Sequence, residues 1–150
     1  MRLRNLLDES VVKIGLESVD KEECFAELID LLARAGRIPD RHLALAAVLK
    51  REATGTTGIG AGFAVPHAKD ASIPGLRVAV GVSPEGIEFD AVDDQPVQIV
   101  LMILANVDEP GQHVQALAEI VRLIKLPGFK ASLLKAATAR EVLDIIDAAE

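Results

Sequence analysis

The sequence predicts an α/β fold, a three-layer sandwich in which a β-sheet lies between helical layers. Segments of helical period occupy both ends of the chain, whereas strand-like apolar segments occupy its middle. Residues 96–105 (PVQIVLMILA) are almost entirely apolar, which is typical of a strand covered on both faces. The chain has 150 residues, half of them hydrophobic, so residues 1–150 are expected to form a single domain with a substantial core.

The N-terminal segment predicts a turn, a short strand and a helix. Residues 3–7 are expected to form a short helix or turn, and residues 10–16 alternate loosely in the manner of a short strand. Asp20 and Glu23 have the spacing of a capping box, with Asp in place of the usual Ser or Thr. A helix is therefore expected to begin after Asp20 and to end near Gly36.

A second helix is predicted from Asp40 to about Arg51, and an irregular segment follows it. Residues 54–62 (TGTTGIGAG) contain four glycines and three threonines, which is typical of a loop or an irregular strand. The apolar residues of this helix that we expect to face the core are Leu43, Ala46, Ala47 and Leu49.

The strands are predicted in the middle of the chain. Residues 78–82 form an apolar strand, residues 84–86 (PEG) give a turn signal, and residues 87–89 are expected to pair back as a short hairpin arm. The apolar run at 96–105 is the strongest strand of all. The sheet is therefore expected to be built around these segments.

Three helices are predicted after the strands. The second spans about residues 129–136, and the third begins at Thr138 with Glu141 in capping-box register. The first spans about residues 111–125, with apolar residues at helical spacing at Val114, Leu117, Val121 and Ile124. Helices thus precede and follow the sheet, as a sandwich requires.

Composition and charge exclude several classes of protein. The net charge is −7 and aromatic residues make up 3% of the chain, so nucleic acid is not expected as a partner. No apolar run approaches the roughly 20 residues that span a bilayer, so membrane insertion is not expected either. The single cysteine, Cys24, permits no internal disulfide, and a cytoplasmic protein is expected.

The strongest candidate for chemistry is His67, which follows Pro66 after the glycine-rich segment. Glycine lets the backbone approach a ligand closely and can aim N–H groups at an anion, and Arg51 and Lys69 supply nearby positive charge. A neutral imidazole is nucleophilic near pH 7, so these residues suit transfer of a phosphoryl group to the histidine. A structural loop whose histidine is merely exposed accounts for the same residues equally well.

His113 is a second candidate, because it opens a helix just after the apolar strand. Strand ends and helix N-termini are places where α/β proteins bind anionic ligands. Taken alone, a histidine on a helix surface is the simpler interpretation. We expect His42 to be solvated and Cys24 to be a buried core thiol, and no zinc-binding motif such as HExxH is present.

The segment around His67 resembles a known family. Arg51-Glu52, then Thr57-Gly58-Ile59-Gly60, then residues 64–68 (AVPHA) fall at the spacing found in enzyme IIA domains of the bacterial phosphotransferase system, in its fructose, mannitol and nitrogen-related (type 2) branch. A downstream histidine that opens a helix, here His113, also fits. The resemblance extends over essentially the whole chain.

This resemblance implies a mixed β-sheet flanked by helices on both faces, and a phosphotransferase function without a metal or nucleotide cofactor. His67 would accept a phosphoryl group from the histidine-containing phosphocarrier protein. It would then pass the group to a cysteine of an enzyme IIB partner, or the phosphorylation state would act as a regulatory signal. His113 would be the accessory histidine of the site, and Arg51 the arginine near the phosphoryl group.

The branch of the family and the mode of action remain open at this point. The chain ends at Glu150 without a IIB or membrane IIC segment, which favours a free-standing carrier or regulator, with nitrogen regulation placed before sugar transport. The alternative is a non-catalytic module of the same fold that acts by protein contact. Around His67 we expect a docking face with apolar contacts and an acidic rim, drawn from Ile59, Phe63, Ile73, Asp70, Asp108 and Glu109.

Overall fold

A computed structural model describes residues 1–150, which form five α-helices and one six-stranded sheet. The helices are α1 (Lys21–Arg34), α2 (Arg41–Glu52), α3 (Pro110–Ile124), α4 (Phe129–Lys135) and α5 (Ala139–Ala149). The strands are β1 (Val12–Ile14), β2 (Gly58–Gly60), β3 (Phe63–Ala64), β4 (His67–Lys69), β5 (Leu76–Ile87) and β6 (Val97–Ala105). Short 3-10 helices at Leu3–Leu6 and Glu9–Val11 precede the first strand.

The sheet is mixed, with strand order β1-β5-β6-β3-β2 and with β4 also paired to β6. The β5–β6 pair is antiparallel, whereas β3 and β4 both run parallel to β6. Phe63 lies opposite Ile99 and His67 lies opposite Ile103, so β3 and β4 keep the same register. They follow one line along β6, with a break in the regular pairing at residues 65–66. Proline has no N–H to donate there, although the Pro66 carbonyl still accepts the Ile103 N–H at 2.9 Å.

The helices form two groups on the two sides of the sheet. Helices α1 and α2 pack on each other and against β5 and β4. Helices α3, α4 and α5 pack in sequence and reach β6, β5 and β1. The predicted α/β sandwich is confirmed, since each group buries its apolar side on the sheet.

The predicted helix boundaries are confirmed to within one or two residues, because local capping sets them. The Asp20 carboxylate accepts the Glu23 N–H at 2.9 Å, and Thr138 Oγ1 accepts the Glu141 N–H at 3.2 Å. Gly36 follows the end of α1 with a φ of 72°, the left-handed conformation that commonly ends a helix.

Two predictions about the strands were wrong in detail. The strand expected over 10–16 is confined to β1, because a 3-10 helix occupies the residues before it. The turn signal at 84–86 does not end a strand, since β5 runs through it to Ile87. The register shifts between Val82 and Ile87, and Gly86 has a φ of 87°, so a bulge accommodates the Pro-Glu-Gly sequence.

The predicted inward face of α2 was wrong for its two leucines, whereas Ala47 packs against the core as predicted. Leu43 and Leu49 are 50% and 40% exposed. In α3, Leu117 and Ile124 pack against the core, but Val114 and Val121 are exposed. In both helices the apolar residues occupy neighbouring positions, so two faces fit a helical period equally well. The residues that are buried are Ala44, Val48 and Glu52 in α2, and His113, Ala116, Ile120 and Leu123 in α3.

All four phenylalanines lie in the core, in two pairs. Phe25 and Phe89 meet edge to face with centroids 5.6 Å apart, and Phe63 and Phe129 stack at 6.4 Å. Phe63 is therefore a core residue, and its predicted role in docking is wrong. No helix is both long and apolar enough to cross a lipid bilayer.

Gly58 provides a test of the packing beneath the glycine-rich segment. A Cβ atom at position 58 would lie 2.8 Å from Ala91 Cβ and 2.9 Å from Ala91 Cα. Because a backbone atom cannot move aside freely, we expect Gly58→Ala to lower the free energy of unfolding by about 1–3 kcal/mol. Urea unfolding followed by circular dichroism measures it, since the chain has no Trp or Tyr.

Gly111 supplies the matched control. A Cβ atom there has nothing within 4 Å, so Gly111→Ala should leave the free energy of unfolding unchanged or slightly raised. Equal urea midpoints for the wild type and Gly58→Ala would show that the Ala91 contact is relieved without cost.

Candidate functional site

One cleft, with a volume of about 630 Å³, brings together the histidines and the arginine that the sequence singled out. It lies between α2, strand β4 and the start of α3. Its lining residues are Leu43, Ala46, Ala47, Lys50, Arg51, Thr54, His67, Ala68, Lys69, Asp70 and His113. We refer to it below as the His67 cleft.

The orientation of His67 is fixed by a hydrogen bond to its own strand. Its Nδ1 lies 2.8 Å from the Val65 carbonyl oxygen. A carbonyl oxygen only accepts hydrogen bonds, so Nδ1 carries the proton in this contact. In the neutral ring the lone pair is then on Nε2. The ring is therefore held in the tautomer in which Nε2 is the nucleophilic atom.

Burial and neighbouring charge keep the His67 ring neutral. Desolvation lowers its pKa below the ordinary value of 6.5, and the positive charges of Arg51 and Lys69 lower it further. The hydrogen bond to Val65 and the negative charge of Glu52 act in the opposite direction. The net shift is downward, so the imidazole is unprotonated at neutral pH.

His113 faces His67 across the cleft. The two ring centroids are 5.2 Å apart, with the ring planes at 53°. The His113 side chain is on the buried face of α3, so it is not a surface histidine, and its Nε2 has no hydrogen-bonding partner. Desolvation, followed by the charges of His67 and Lys69, lowers its pKa to about 4. Both rings are consequently neutral at pH 7.

Arg51 is anchored beside the cleft by the loop that follows α2. Its Nη1 donates to the Gly55 carbonyl at 2.9 Å and to Thr54 Oγ1 at 3.2 Å. Lys50 and Lys69 line the same cleft. The site thus combines a nucleophilic nitrogen with three cationic side chains, an arrangement that suits a phosphoryl group.

Glu52 has a central position in the structure, although no role for it was predicted from the sequence. Its side chain is buried at the end of α2 and accepts the Thr57 N–H at 2.9 Å and the Thr57 hydroxyl at 2.5 Å. Lys21 Nζ lies 3.8 Å away. The sequence did carry a signal for this burial. Glu52 follows Ala44 and Val48 at intervals of four residues, which places a charged side chain on the buried face of the helix.

The glycine-rich segment reaches the His67 cleft only at Thr54. Residues 58–64 form the hairpin of β2 and β3, and none of them lines the cleft, so the predicted approach of their backbone to an anion there is wrong. Their backbone groups are used inside the protein: the Gly58 carbonyl accepts the Val92 N–H, and the Ala61 N–H donates to Asp93. Lys130 Nζ donates to the Ala61 carbonyl at 2.9 Å.

The expected docking face needs correction as well. Ile73 is buried, and Ile59 is exposed but outside the cleft. Of the predicted acidic rim only Asp70 lines the cleft, whereas Asp108 and Glu109 do not. The exposed apolar side is formed instead by Leu43, Ala46 and Ala47, and the adjacent charges are mainly positive.

The remaining candidate residues lie outside the site. His42 is exposed and does not line the cleft, as predicted. Cys24 is buried, and burial raises the pKa of its thiol to about 12, so the thiolate does not form at neutral pH. No three His, Cys, Asp or Glu side chains converge as ligands for a metal ion.

The chain is similar in sequence to fructose-specific proteins. It is 39% identical over 126 residues to the PTS system fructose-specific EIIA component of Haloferax volcanii, covering 84% of this chain and 82% of that one. It is 35% identical over 147 residues to the PTS system fructose-specific EIIABC component of Bacillus subtilis. The match covers 98% of this chain but only 23% of the length of the Bacillus protein.

The fold is similar to that of a solved nitrogen regulatory protein. The crystal structure of Nitrogen Regulatory Protein IIA-Ntr from Neisseria meningitidis superposes with a TM-score of 0.89 at 26% identity. The superposition covers 96% of this chain and 98% of that one. The family model described as "Phosphoenolpyruvate-dependent sugar phosphotransferase system, EIIA 2" matches residues 5–149. The chain therefore belongs to the EIIA 2 family of the phosphoenolpyruvate-dependent sugar phosphotransferase system.

Proposed function

We propose that this protein is a phosphoryl carrier that is transiently phosphorylated on Nε2 of His67. The donor is the histidine-containing phosphocarrier protein, and the acceptor is a cysteine of an enzyme IIB protein. The observation that carries the proposal is the hydrogen bond that His67 Nδ1 donates to the Val65 carbonyl. This bond leaves the lone pair on Nε2, and the cleft around the ring is lined by three cations. Such a carrier works in the cytoplasm, where its phosphoryl donor is.

In the first step, the Nε2 lone pair attacks the phosphorus atom while the nitrogen–phosphorus bond of the donor breaks. The proton stays on Nδ1, which donates a hydrogen bond to the Val65 carbonyl. In the second step, the IIB cysteine sulfur attacks the same phosphorus atom and the Nε2–phosphorus bond breaks. Because Nδ1 keeps its proton, the leaving group is a neutral imidazole.

Arg51 and His113 stabilise the transferring group. The Arg51 guanidinium is always charged and is held at the cleft by two acceptors, so it can face the phosphoryl oxygens without reorganisation. His113 is neutral, and its buried Nε2 lacks a partner. An N–H at that nitrogen would gain an acceptor when a phosphoryl oxygen is present.

The partners dock on the exposed side of α2. Leu43, Ala46 and Ala47 give an apolar surface next to His67, with Lys50 and Arg51 beside it. Apolar contact with an adjacent charged group is a common arrangement in transient protein interfaces. The cations fit a partner that presents negative charge, which includes the phosphoryl group itself.

Transfer to IIB is the role we place first, and nitrogen-type regulation second. The two fructose-specific relatives are 35% and 39% identical, whereas the Neisseria nitrogen regulatory protein is 26% identical. Action by protein contact alone is the alternative of a different class. A protein that acts by contact alone needs neither a fixed histidine tautomer nor a lowered histidine pKa. His67 has both, which favours the carrier.

The division of labour between the histidines can be tested by substitution. Alanine offers no nucleophile, so His67→Ala should abolish phosphorylation. His113→Ala and Arg51→Ala each remove one stabilising group and should slow it by about 10²–10³-fold. The protein is incubated with phosphoenolpyruvate, enzyme I and the phosphocarrier, and acid-labile phosphate is measured over time.

His42→Ala is the control for this series, because His42 is exposed and outside the cleft. Its labelling rate should equal that of the wild type. Labelling of folded His67→Ala at the wild-type rate, or complete loss of label only in His113→Ala, would assign the nucleophile to the other histidine.

The lowered pKa of His113 makes stability depend on pH in a defined direction. The folded pKa is about 4, against 6.5 ordinarily, so between these values the unfolded chain binds a proton that the folded chain does not. The free energy of unfolding should therefore fall as pH falls through this window. Between pH 7 and pH 5, the free energy of unfolding measured in urea should decrease more for the wild type than for His113→Gln. Equal decreases would contradict a His113 ring that is buried and neutral.

The docking surface can be tested on two leucines of α2. Leu43 lines the cleft and Leu49 does not, although both are largely exposed. Glutamine has nearly the helix propensity of leucine, so Leu43→Gln should leave folding intact. It should lower kcat/KM for phosphorylation by the phosphocarrier about fivefold or more, mainly through KM. Leu49→Gln should retain the wild-type value, and equal effects of the two changes would place docking elsewhere.

A further inference from the structure

We propose that Glu52 is a positioning residue for His67, acting through Thr57 and Val65 to fix which nitrogen of the imidazole is nucleophilic. This inference deepens the proposed function, since it takes His67 as the phosphoryl acceptor. Glu52 does not line the His67 cleft and touches no substrate. Its influence runs through a continuous series of hydrogen bonds.

The series begins at the buried carboxylate and ends at the imidazole. Glu52 accepts the Thr57 N–H at 2.9 Å and the Thr57 hydroxyl at 2.5 Å. The Thr57 carbonyl accepts the Val65 N–H at 3.0 Å. The Val65 carbonyl lies 2.8 Å from His67 Nδ1, which donates to it. Each bond holds the residue that makes the next one.

Val65 makes no hydrogen bond to β6, although both of its neighbours are bound to that strand. Ala64 pairs with Val100, and the Pro66 carbonyl accepts the Ile103 N–H at 2.9 Å. The Val65 N–H donates to the Thr57 carbonyl instead, and the Val65 carbonyl accepts from the imidazole. Between these two anchors on β6, the tilt of Val65 toward the imidazole is therefore set by the position of Thr57.

Water cannot readily replace Glu52. Thr57 is 3% exposed and Glu52 is 7% exposed, so the two are shielded from solvent. A buried carboxylate is costly unless it is paired and hydrogen-bonded, and here Lys21 Nζ at 3.8 Å balances its charge. Without the carboxylate, the Thr57 N–H would lose its acceptor and the loop would have to move.

The adjacent residue holds the other end of the same loop. Arg51 donates to the Gly55 carbonyl at 2.9 Å, two residues before the point at which Glu52 binds Thr57. The last turn of α2 therefore places both the cation of the site and the loop that orients its nucleophile. A displacement of Thr57 would reach His67 without removing any group that contacts a phosphoryl oxygen.

The direct readout is the tautomer of His67 in ¹⁵N-labelled protein, measured by long-range ¹H–¹⁵N correlation spectra of the ring nitrogens. The wild type should show a protonated Nδ1 and an unprotonated Nε2. Glu52→Ala should increase the population with the proton on Nε2. Its rate of phosphorylation should fall by about ten- to a hundredfold, in proportion to the misplaced nucleophile.

Glu27 provides a matched control. Its carboxylate accepts the Glu17 and Ser18 N–H groups at 3.1 Å and the Ser18 hydroxyl at 2.5 Å, and it pairs with Lys13 at 2.7 Å. The chemistry is the same as at Glu52, but the site is remote from the His67 cleft. Glu27→Ala should lower stability and leave both the His67 tautomer and the phosphorylation rate unchanged.

Three further variants keep the test decisive if Glu52→Ala does not fold. Glu52→Gln keeps the size of the side chain but removes the negative charge that raises the His67 pKa. The midpoint of the His67 pH titration followed by NMR should therefore decrease, because Arg51 and Lys69 still lower this pKa. Thr57→Val removes the hydroxyl and should shift the tautomer, and Thr57→Ser should restore it.

The proposal would be overturned if folded Glu52→Ala or Glu52→Gln kept the wild-type His67 tautomer, titration midpoint and phosphorylation rate. It would also be overturned if Glu27→Ala had the same effects as Glu52→Ala. The NMR readout needs no phosphoryl donor. Absence of phosphorylation in the wild type would therefore overturn the proposed function, while the spectra alone would still decide the role of Glu52.

Discussion

The structure depends on the pairing of β6 with the strand that carries His67. Strand β6 is buried apart from Gln98, so every peptide group along it must be bonded within the protein. It pairs with β5 on one side and with β3 and β4 on the other. This constraint fixes the chain on both sides of Val65, because Ala64 pairs with Val100 and the Pro66 carbonyl accepts the Ile103 N–H. Val65 itself makes no hydrogen bond to β6, so its carbonyl is available to the His67 side chain.

The electrostatics of the cleft oppose those of the whole chain. The net charge is −7, yet the groups that line the cleft include three cations and one acid, Asp70. The same cations lower the pKa of His67, so they favour the neutral nucleophile before transfer. In the mechanism that we propose, the same cations would face a dianionic group after transfer and stabilise it. One set of charges would thus serve both states of the carrier.

Most helices and strands were predictable from the sequence, and so were His67 and His113 as candidate site residues, because these features depend on local patterns. Capping residues and apolar runs act within a few positions, and His67 lies in a short motif. The exposure of Leu43 was not predictable, since α2 is apolar on more than one face. The burial of Glu52 was signalled by its spacing from Ala44 and Val48, but its pairing with Lys21 was not predictable, because the two residues are distant in sequence. The burial of His113 required the packing of α3 on the sheet.

Several features of the cleft oppose stability, and this separates a carrier from a contact surface. His113 is buried with an unpartnered Nε2, and a buried polar atom without a partner destabilises the folded state. His67 is desolvated beside Arg51 and Lys69, which disfavours its charged form. Docking by contact needs only the exposed side of α2 and gains nothing from these arrangements. A phosphoryl group on His67 Nε2 would explain these features together. Its oxygens would accept a hydrogen bond from His113 Nε2, and its negative charge would balance Arg51 and Lys69.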